Sequence, residues 1–174
     1  MGNPLVSAMI QFAILGTAGD VVSKIITKNK ISIFKVIYSI FVWGILGVII
    51  KFAFTGFNGF VSELVAHNYL PSGKIYQAFF KSLFTNAFFG PWLIVIHRFL
   101  DNLSKLKVPT DGIKGAMLTL LWFWLPAHTV TFSLPIEWQI TLAAVWSFVL
   151  GLILGFFSNK KNKKINDIKV EENV

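Results

Sequence analysis

The chain has 174 residues, of which 55% are apolar and only 14% are charged. Soluble domains carry roughly 25% charged residues, and a protein of this size has too much surface per volume to hide such an apolar excess from water. These values exclude a disordered chain, a soluble enzyme and a compact nucleic-acid-binding domain, and they indicate an integral membrane protein. The net charge of +8 comes from short basic clusters between apolar runs, which is typical of cytoplasmic loops facing anionic lipid.

Five apolar stretches follow one another along the chain, and each reaches the roughly 20 residues that a helix needs to cross the hydrocarbon core. They cover residues 5–26, 35–60, 75–100, 113–132 and 137–157. Since they do not alternate between apolar and polar residues, helices are favoured over barrel strands. We predict an all-α, polytopic membrane helix bundle of four to five transmembrane helices over residues 1–157, followed by a basic, polar and flexible tail over residues 158–174.

Basic residues set the predicted orientation. They flank the first and third breaks between the stretches, as Lys24, Lys28, Lys30 and Lys35, and as Arg98, Lys105, Lys107 and Lys114. The positive-inside rule therefore places these loops and the tail in the cytoplasm, with the N-terminus outside if all five stretches cross. The first stretch is amphipathic, so four crossings with the N-terminus inside is the alternative. Lysine, Ile and Asn are abundant, which favours a bacterial plasma membrane.

Each stretch has one helical face that is unsuited to lipid, because polar or small residues recur there every three or four positions. We predict that the polar members line a solute pathway: Lys51, Thr55, Asn58, Lys81, Thr85, Asn86, Trp124, His128 and Thr131. Small residues let helices approach closely, and we assign Gly44, Gly47, Ser147, Gly151 and Gly155 to helix packing. Asp20 is placed as a polar group near the inner side.

The lysines inside the helices carry the functional hypothesis. A lysine in the middle of a membrane helix costs roughly 2.5–3.5 kcal/mol on the insertion scale, although its side chain can also extend to the interface. The helical rise places Lys51, Lys81 and His128 at a similar depth in the outer half. Together they would form an electropositive pocket or pore for a polar or anionic solute. For His128, a hydrogen-bonded role in the core is the alternative.

Motifs for catalysis or for a metal are not found in the sequence. The three histidines lie on different segments, without carboxylates spaced for a metal site. The chain contains neither a Walker loop nor a GxSxG elbow. We therefore expect no enzyme activity, no metal and no cofactor.

Three motifs follow one another in the first, third and fourth stretches. They are Gly19-Asp20; Lys81, Thr85-Asn86 and Pro91; and the segment Trp122–Pro135, followed by Gln139. In this order they resemble the Mpv-seventeen and PMP-twenty-two family of small membrane proteins, over residues 8–157. Thr85-Asn86 stand where that family has Asp-Gln, and His128 stands where it has Gln.

The resemblance implies a compact bundle, usually described with four transmembrane helices, and a role as a channel or transporter in solute homeostasis. For a eukaryotic source it would imply a mitochondrial inner or peroxisomal membrane. The polar faces agree with a pore or carrier for small polar or anionic solutes. The alternative is a non-catalytic scaffold or accessory subunit that binds a protein partner or lipid. The small-residue face at Gly151 and Gly155 also leaves a homo-oligomer open.

Overall fold

The computed structural model describes residues 3–103 and 113–171, with side chains described as far as residue 153. Within these ranges the chain forms helices and no strand, which confirms the predicted all-α fold. The helices are α1 Pro4–Ile26, α2 Ile33–Ala66, α3 Lys74–Phe84, α4 Gly90–Asp101, α5 Ile113–Thr119, α6 Leu125–Ser133 and α7 Ile136–Glu171. The flexibility predicted for residues 158–174 stays a prediction; the chain is helical through Glu171, and residues 172–174 lie outside the described part.

Two π-helical turns join four of these helices into two longer segments. Thr85–Phe89 connects α3 to α4, and Leu120–Trp124 connects α5 to α6. Each turn ends two residues before a proline, Pro91 or Pro126. A proline in a helix donates no backbone hydrogen bond, and its ring displaces the carbonyl four residues earlier. The wider π turn accommodates this displacement without breaking the helix.

Four helical segments are long and apolar enough to cross a membrane: Pro4–Ile26, Ile33–Ala66, Lys74–Asp101 and Ile136–Ile153. The protein thus has the composition and architecture of an integral membrane helix bundle. The first segment, which the sequence marks as the doubtful crossing, is among the four. The segment formed by α5 and α6 is not, because Pro126, His128 and its threonines lower its hydropathy.

Helix α1 lies between α2 and α7, while α3 packs against α6. The buried core draws apolar side chains from α1, α2, α3, α6 and α7, including Phe12, Leu46, Phe54, Phe132 and Ala144. Large apolar side chains also cover the outer surface, as a bilayer requires. Phe34, Trp92 and Trp138 are examples of this exposed coat.

Two close contacts between helices occur at Gly47 and Gly151, which the sequence assigns to helix packing. A Cβ atom added to Gly47 would lie 2.6 Å from the carbonyl oxygen of Ala8, so α2 touches the backbone of α1 there. A Cβ atom on Gly151 would lie 2.9 Å from the backbone of Gly19, so α7 touches α1 equally closely. Gly44 also faces α1, and Ser147 is buried on α7. Gly155 lies beyond residue 153, outside the described side chains.

We expect Gly151→Ala to lower the unfolding temperature in detergent, because the new methyl group must push two helix backbones apart. Overpacking of this kind costs about 1–3 kcal/mol. The matched control is Gly59→Ala in α2, where an added Cβ meets nothing within 4 Å. Its unfolding temperature should stay the same or rise, since alanine favours the helix by about 0.5–1 kcal/mol. Equal unfolding temperatures for the two variants would contradict the close contact.

Candidate functional site

A cavity of about 730 Å³ lies inside the bundle, between α1, α2, α4, α5, α7 and the two π turns. Cavities of about 300–1,000 Å³ are typical of small-molecule sites. Along the segment of α3 and α4, the cavity lining runs from Thr85 to Asn102, which is about 25 Å at the helical rise. Most of the lining is apolar or aromatic, and its polar groups gather in two places, described here as the charged end and the buried polar end.

The charged end consists of Asp20, His97, Arg98 and Asp101. One oxygen of Asp20, Oδ2, accepts hydrogen bonds from Ser39 Oγ at 2.7 Å and from Trp43 Nε1 at 2.9 Å. These contacts form because a short loop turns the chain from the end of α1 into the beginning of α2, so that the two helices run antiparallel. The carboxylate of Asp20 is thus fixed at the wall of the cavity.

The second carboxylate of the charged end is that of Asp101, the last residue of α4. Asp101 Oδ2 is 3.4 Å from His97 Nε2, and its side chain is 49% exposed. Arg98 and Lys24 also lie close enough to interact electrostatically with Asp101. The imidazole of His97 packs at 4.7 Å against the ring of Trp43. Asp101 therefore lies close to Asp20 as well as to basic groups, and it brings the charged end to the surface of the protein.

The buried polar end lies where the first π turn meets α6. Asn86 Nδ2 donates to the carbonyl oxygen of Ser82 at 2.8 Å and lies 3.3 Å from His128 Nδ1. The ring of His128 also contacts Trp124 at 4.9 Å and the edge of Phe54 at 5.3 Å. This end presents an amide and an imidazole, fixed by neighbouring helices, to an otherwise apolar space.

Thr85 adds to the buried polar end a hydroxyl group that is buried but makes no hydrogen bond to the described residues. The residue is 2% exposed and lines the cavity. Its Oγ1 atom has no hydrogen-bond partner among the described residues. A buried hydroxyl without a partner costs about 1–3 kcal/mol, so such atoms are rare in structural cores and point to a site for a ligand or water.

The structure brings some of the predicted pathway residues together in this cavity. Those that line it are Thr85, Asn86, Trp124 and His128, together with Asp20, Ser147 and Gly151 from the other predicted sets. The sequence places Asp20 apart from the remaining polar groups, and the structure shows that one continuous cavity connects them.

The remaining predicted pathway residues do not line the cavity. They are Lys51, Thr55, Asn58, Lys81 and Thr131. Thr55 donates to the carbonyl oxygen of Lys51 at 2.9 Å. Asn58 Nδ2 donates to Gln139 Oε1 at 2.9 Å, which connects α2 to α7. Thr131 accepts from Trp146 Nε1 at 3.1 Å, which connects α6 to α7. Asn58 and Thr131 therefore hold helices together beyond the buried polar end.

The sequence did not connect Asp20 with the charged groups at the end of α4. It predicts His97 and Arg98 as an anchor at the membrane interface with an Arg98–Asp101 pair, and the structure places both His97 and Arg98 near Asp101. The four-residue spacing of His97 and Asp101 was the available signal, because it places both on one helical face. The contact of Trp43 with Asp20 joins residues 23 positions apart, and no local pattern predicts it.

Comparisons with known proteins add no further information about the site. No known protein family, no curated protein and no solved structure matches the chain. Within the described ranges, no group of three or more acidic, histidine or cysteine side chains is placed to hold a metal ion. The function is therefore inferred from the geometry of the cavity.

We expect Trp43→Phe to destabilise the protein, because it removes a hydrogen bond to a carboxylate, worth about 1.5–3 kcal/mol. The matched control is Trp138→Phe, since Trp138 is 63% exposed. The free energy of unfolding, measured in detergent, should fall for the first variant only. In an Asp20→Asn background the cost of Trp43→Phe should shrink, because the charge is gone. An unchanged cost there would assign the effect to ring packing instead.

Proposed function

We propose that this protein is a membrane carrier or pore for small polar solutes, and that the cavity is the solute pathway. The observation that carries the proposal is the cavity of about 730 Å³ inside a membrane helix bundle. Fixed polar groups at both ends, and the unpartnered hydroxyl of Thr85, provide contacts for a polar solute in an apolar surrounding. The resemblance to the Mpv-seventeen and PMP-twenty-two family supports the same function.

A carrier is favoured over an open pore by the length of the cavity. Its lining on the segment of α3 and α4 extends about 25 Å at the helical rise, whereas the hydrocarbon core measures about 30 Å. Beyond the buried polar end, the bonds from Asn58 to Gln139 and from Trp146 to Thr131 close the bundle. We propose that the cavity opens at the charged end, where the side chain of Asp101 is 49% exposed, and that these bonds close it at the other end. A change of conformation that opened the second end would complete transport.

The charged end is proposed to face the cytoplasm. It lies where α1 and α4 end, next to the loop that carries Lys28, Lys30 and Lys35. Lysine-rich loops remain on the cytoplasmic side. The basic C-terminal part of α7 follows at the same end, because Gln139 at the start of α7 bonds to Asn58 in the far half of α2, whereas Gly151 meets Gly19 near the end of α1. A bacterial plasma membrane is the proposed location.

We expect Ala116→Trp to reduce solute flux several-fold, because the side chain of residue 116 lines the cavity and an indole would fill part of it. The measurement is stopped-flow light scattering of proteoliposomes with a panel of glycerol, glucose, lactate and choline. The matched control is Ala66→Trp, at the exposed end of α2, which should keep the flux of the unmodified protein. No flux of any solute by the unmodified protein would contradict the proposed function.

Lys51→Ala tests which polar groups the solute passes. The sequence predicts that Lys51 lines the pathway, and its loss would then lower the flux of an anion such as lactate. We expect unchanged flux, because Lys51 does not line the cavity. A several-fold loss of lactate flux, with the same amount of protein inserted, would place the pathway along the lysine-bearing face instead.

A further inference from the structure

The wall of the cavity is rich in aromatic rings. Phenylalanine and tryptophan side chains from α1, α2 and the two π turns contribute to it, namely Phe12, Trp43, Phe54, Phe89, Trp122 and Trp124. The face of an aromatic ring attracts a cation, most strongly for tryptophan, and the attraction increases when water is excluded. The same rings also provide an apolar surface for the body of an organic molecule.

The charged groups in the lining favour a cation as well. They comprise two carboxylates, Asp20 and Asp101, and one guanidinium, Arg98. Asp101 lies 3.4 Å from His97 and close enough to Asp20, Lys24 and Arg98 to interact electrostatically with all three, so the two carboxylates and these basic groups form one cluster. The hydrogen-bond donors to Asp20 are the neutral groups of Ser39 and Trp43, and the described residues place no basic side chain in ion-pair contact with it. Both donors bind the same oxygen, Oδ2, so the carboxylate can still receive a cationic ligand.

Trp43 connects the aromatic wall to this charge. Its indole nitrogen donates to Asp20 at 2.9 Å, while its ring stacks at 6.5 Å on Phe12 and contacts His97 at 4.7 Å. A cationic group placed beside Asp20 thus also lies next to the indole of Trp43, and the ring of Phe12 follows further along the wall. The remaining body of the ligand would extend along the apolar wall toward Thr85, whose buried hydroxyl has no partner.

We infer that the cavity binds an organic cation, a molecule with an apolar, ring-bearing body and one positively charged nitrogen or phosphorus centre. Its charge lies at Asp20 and Trp43, and its body lies among the aromatic rings. The inference rests on the proposed function, since it names the solute class of the same cavity. It departs from the electropositive pocket expected from the sequence, because Lys51 and Lys81 do not line this cavity.

The test is equilibrium binding of radiolabelled tetraphenylphosphonium to the full chain in nanodiscs of zwitterionic lipid, with empty nanodiscs subtracted. Saturable binding is expected. Asp20→Asn should weaken it about tenfold, as expected for the loss of one nearby opposite charge. The matched control is Glu137→Gln, which removes the same charge at the exposed start of α7 and should leave binding unchanged. Tetraphenylborate, an anion of the same shape, should compete weakly.

A second pair of variants serves if Asp20→Asn does not fold. Trp122 lines the cavity and is 50% exposed, so Trp122→Leu is compatible with the fold and should weaken binding several-fold. Trp138→Leu, an exposed tryptophan outside the cavity, should not. Three results would overturn the inference. Binding could fail to saturate, the cavity variant and its control could bind with equal affinity, or tetraphenylborate could compete as strongly as unlabelled tetraphenylphosphonium.

Binding and flux fail independently. Saturable binding that depends on Asp20 in a protein without flux would retain the cation site and reject the carrier. If the protein transports solutes of the panel, but cation binding is unchanged by substitutions of Asp20 and Trp122, the carrier is retained and this solute class is rejected.

Discussion

The close packing of α1 against both of its neighbours determines the geometry of the charged end. Glycines at the contacts let the helix backbones meet without intervening side chains, at Gly47 on one side and Gly151 on the other. Gly16 extends this arrangement, because a Cβ atom there would lie 2.2 Å from the ring of Trp43. The indole can therefore lie across α1 and reach Asp20 one turn further on. A larger residue at position 16 would displace the ring that holds the carboxylate.

The two prolines have a corresponding role on the other side of the cavity. Pro91 and Pro126 each follow a π turn, and both turns contribute side chains to the cavity wall. At their contact, a Cβ atom added to Gly90 would lie 2.7 Å from Leu120, so the two segments approach closely there. Because a π turn contains one extra residue, neighbouring positions such as Thr85 and Asn86 both face the cavity. The prolines thus favour the π turns, and the π turns bring these polar side chains to the cavity.

Much of the fold was predictable from local patterns, whereas the site was predictable only in part. Apolar length gives the helices, and spacing by three or four residues identifies the inward faces of Asn86 and His128. The same spacing selects Lys51 and Lys81, which do not line this cavity, because spacing places a Cα atom on a face without indicating which neighbouring helix covers it. A lysine has a long, flexible stem that can carry its amine away from that face. Trp43 was unpredictable for another reason: its partner lies on a different helix, and only the close approach at Gly16 brings the two together.

The position of Asp20 reconciles a negative charge with a membrane helix. A carboxylate at the centre of the bilayer would be costly, but Asp20 lies in the last two turns of α1, next to a lysine-bearing loop. Two neutral donors stabilise the carboxylate without neutralising it. This arrangement places the carboxylate beside the indole of Trp43 at the charged end of the cavity. An organic cation that enters there gains the carboxylate and the rings together, and its apolar body continues into a space that offers little to an inorganic ion.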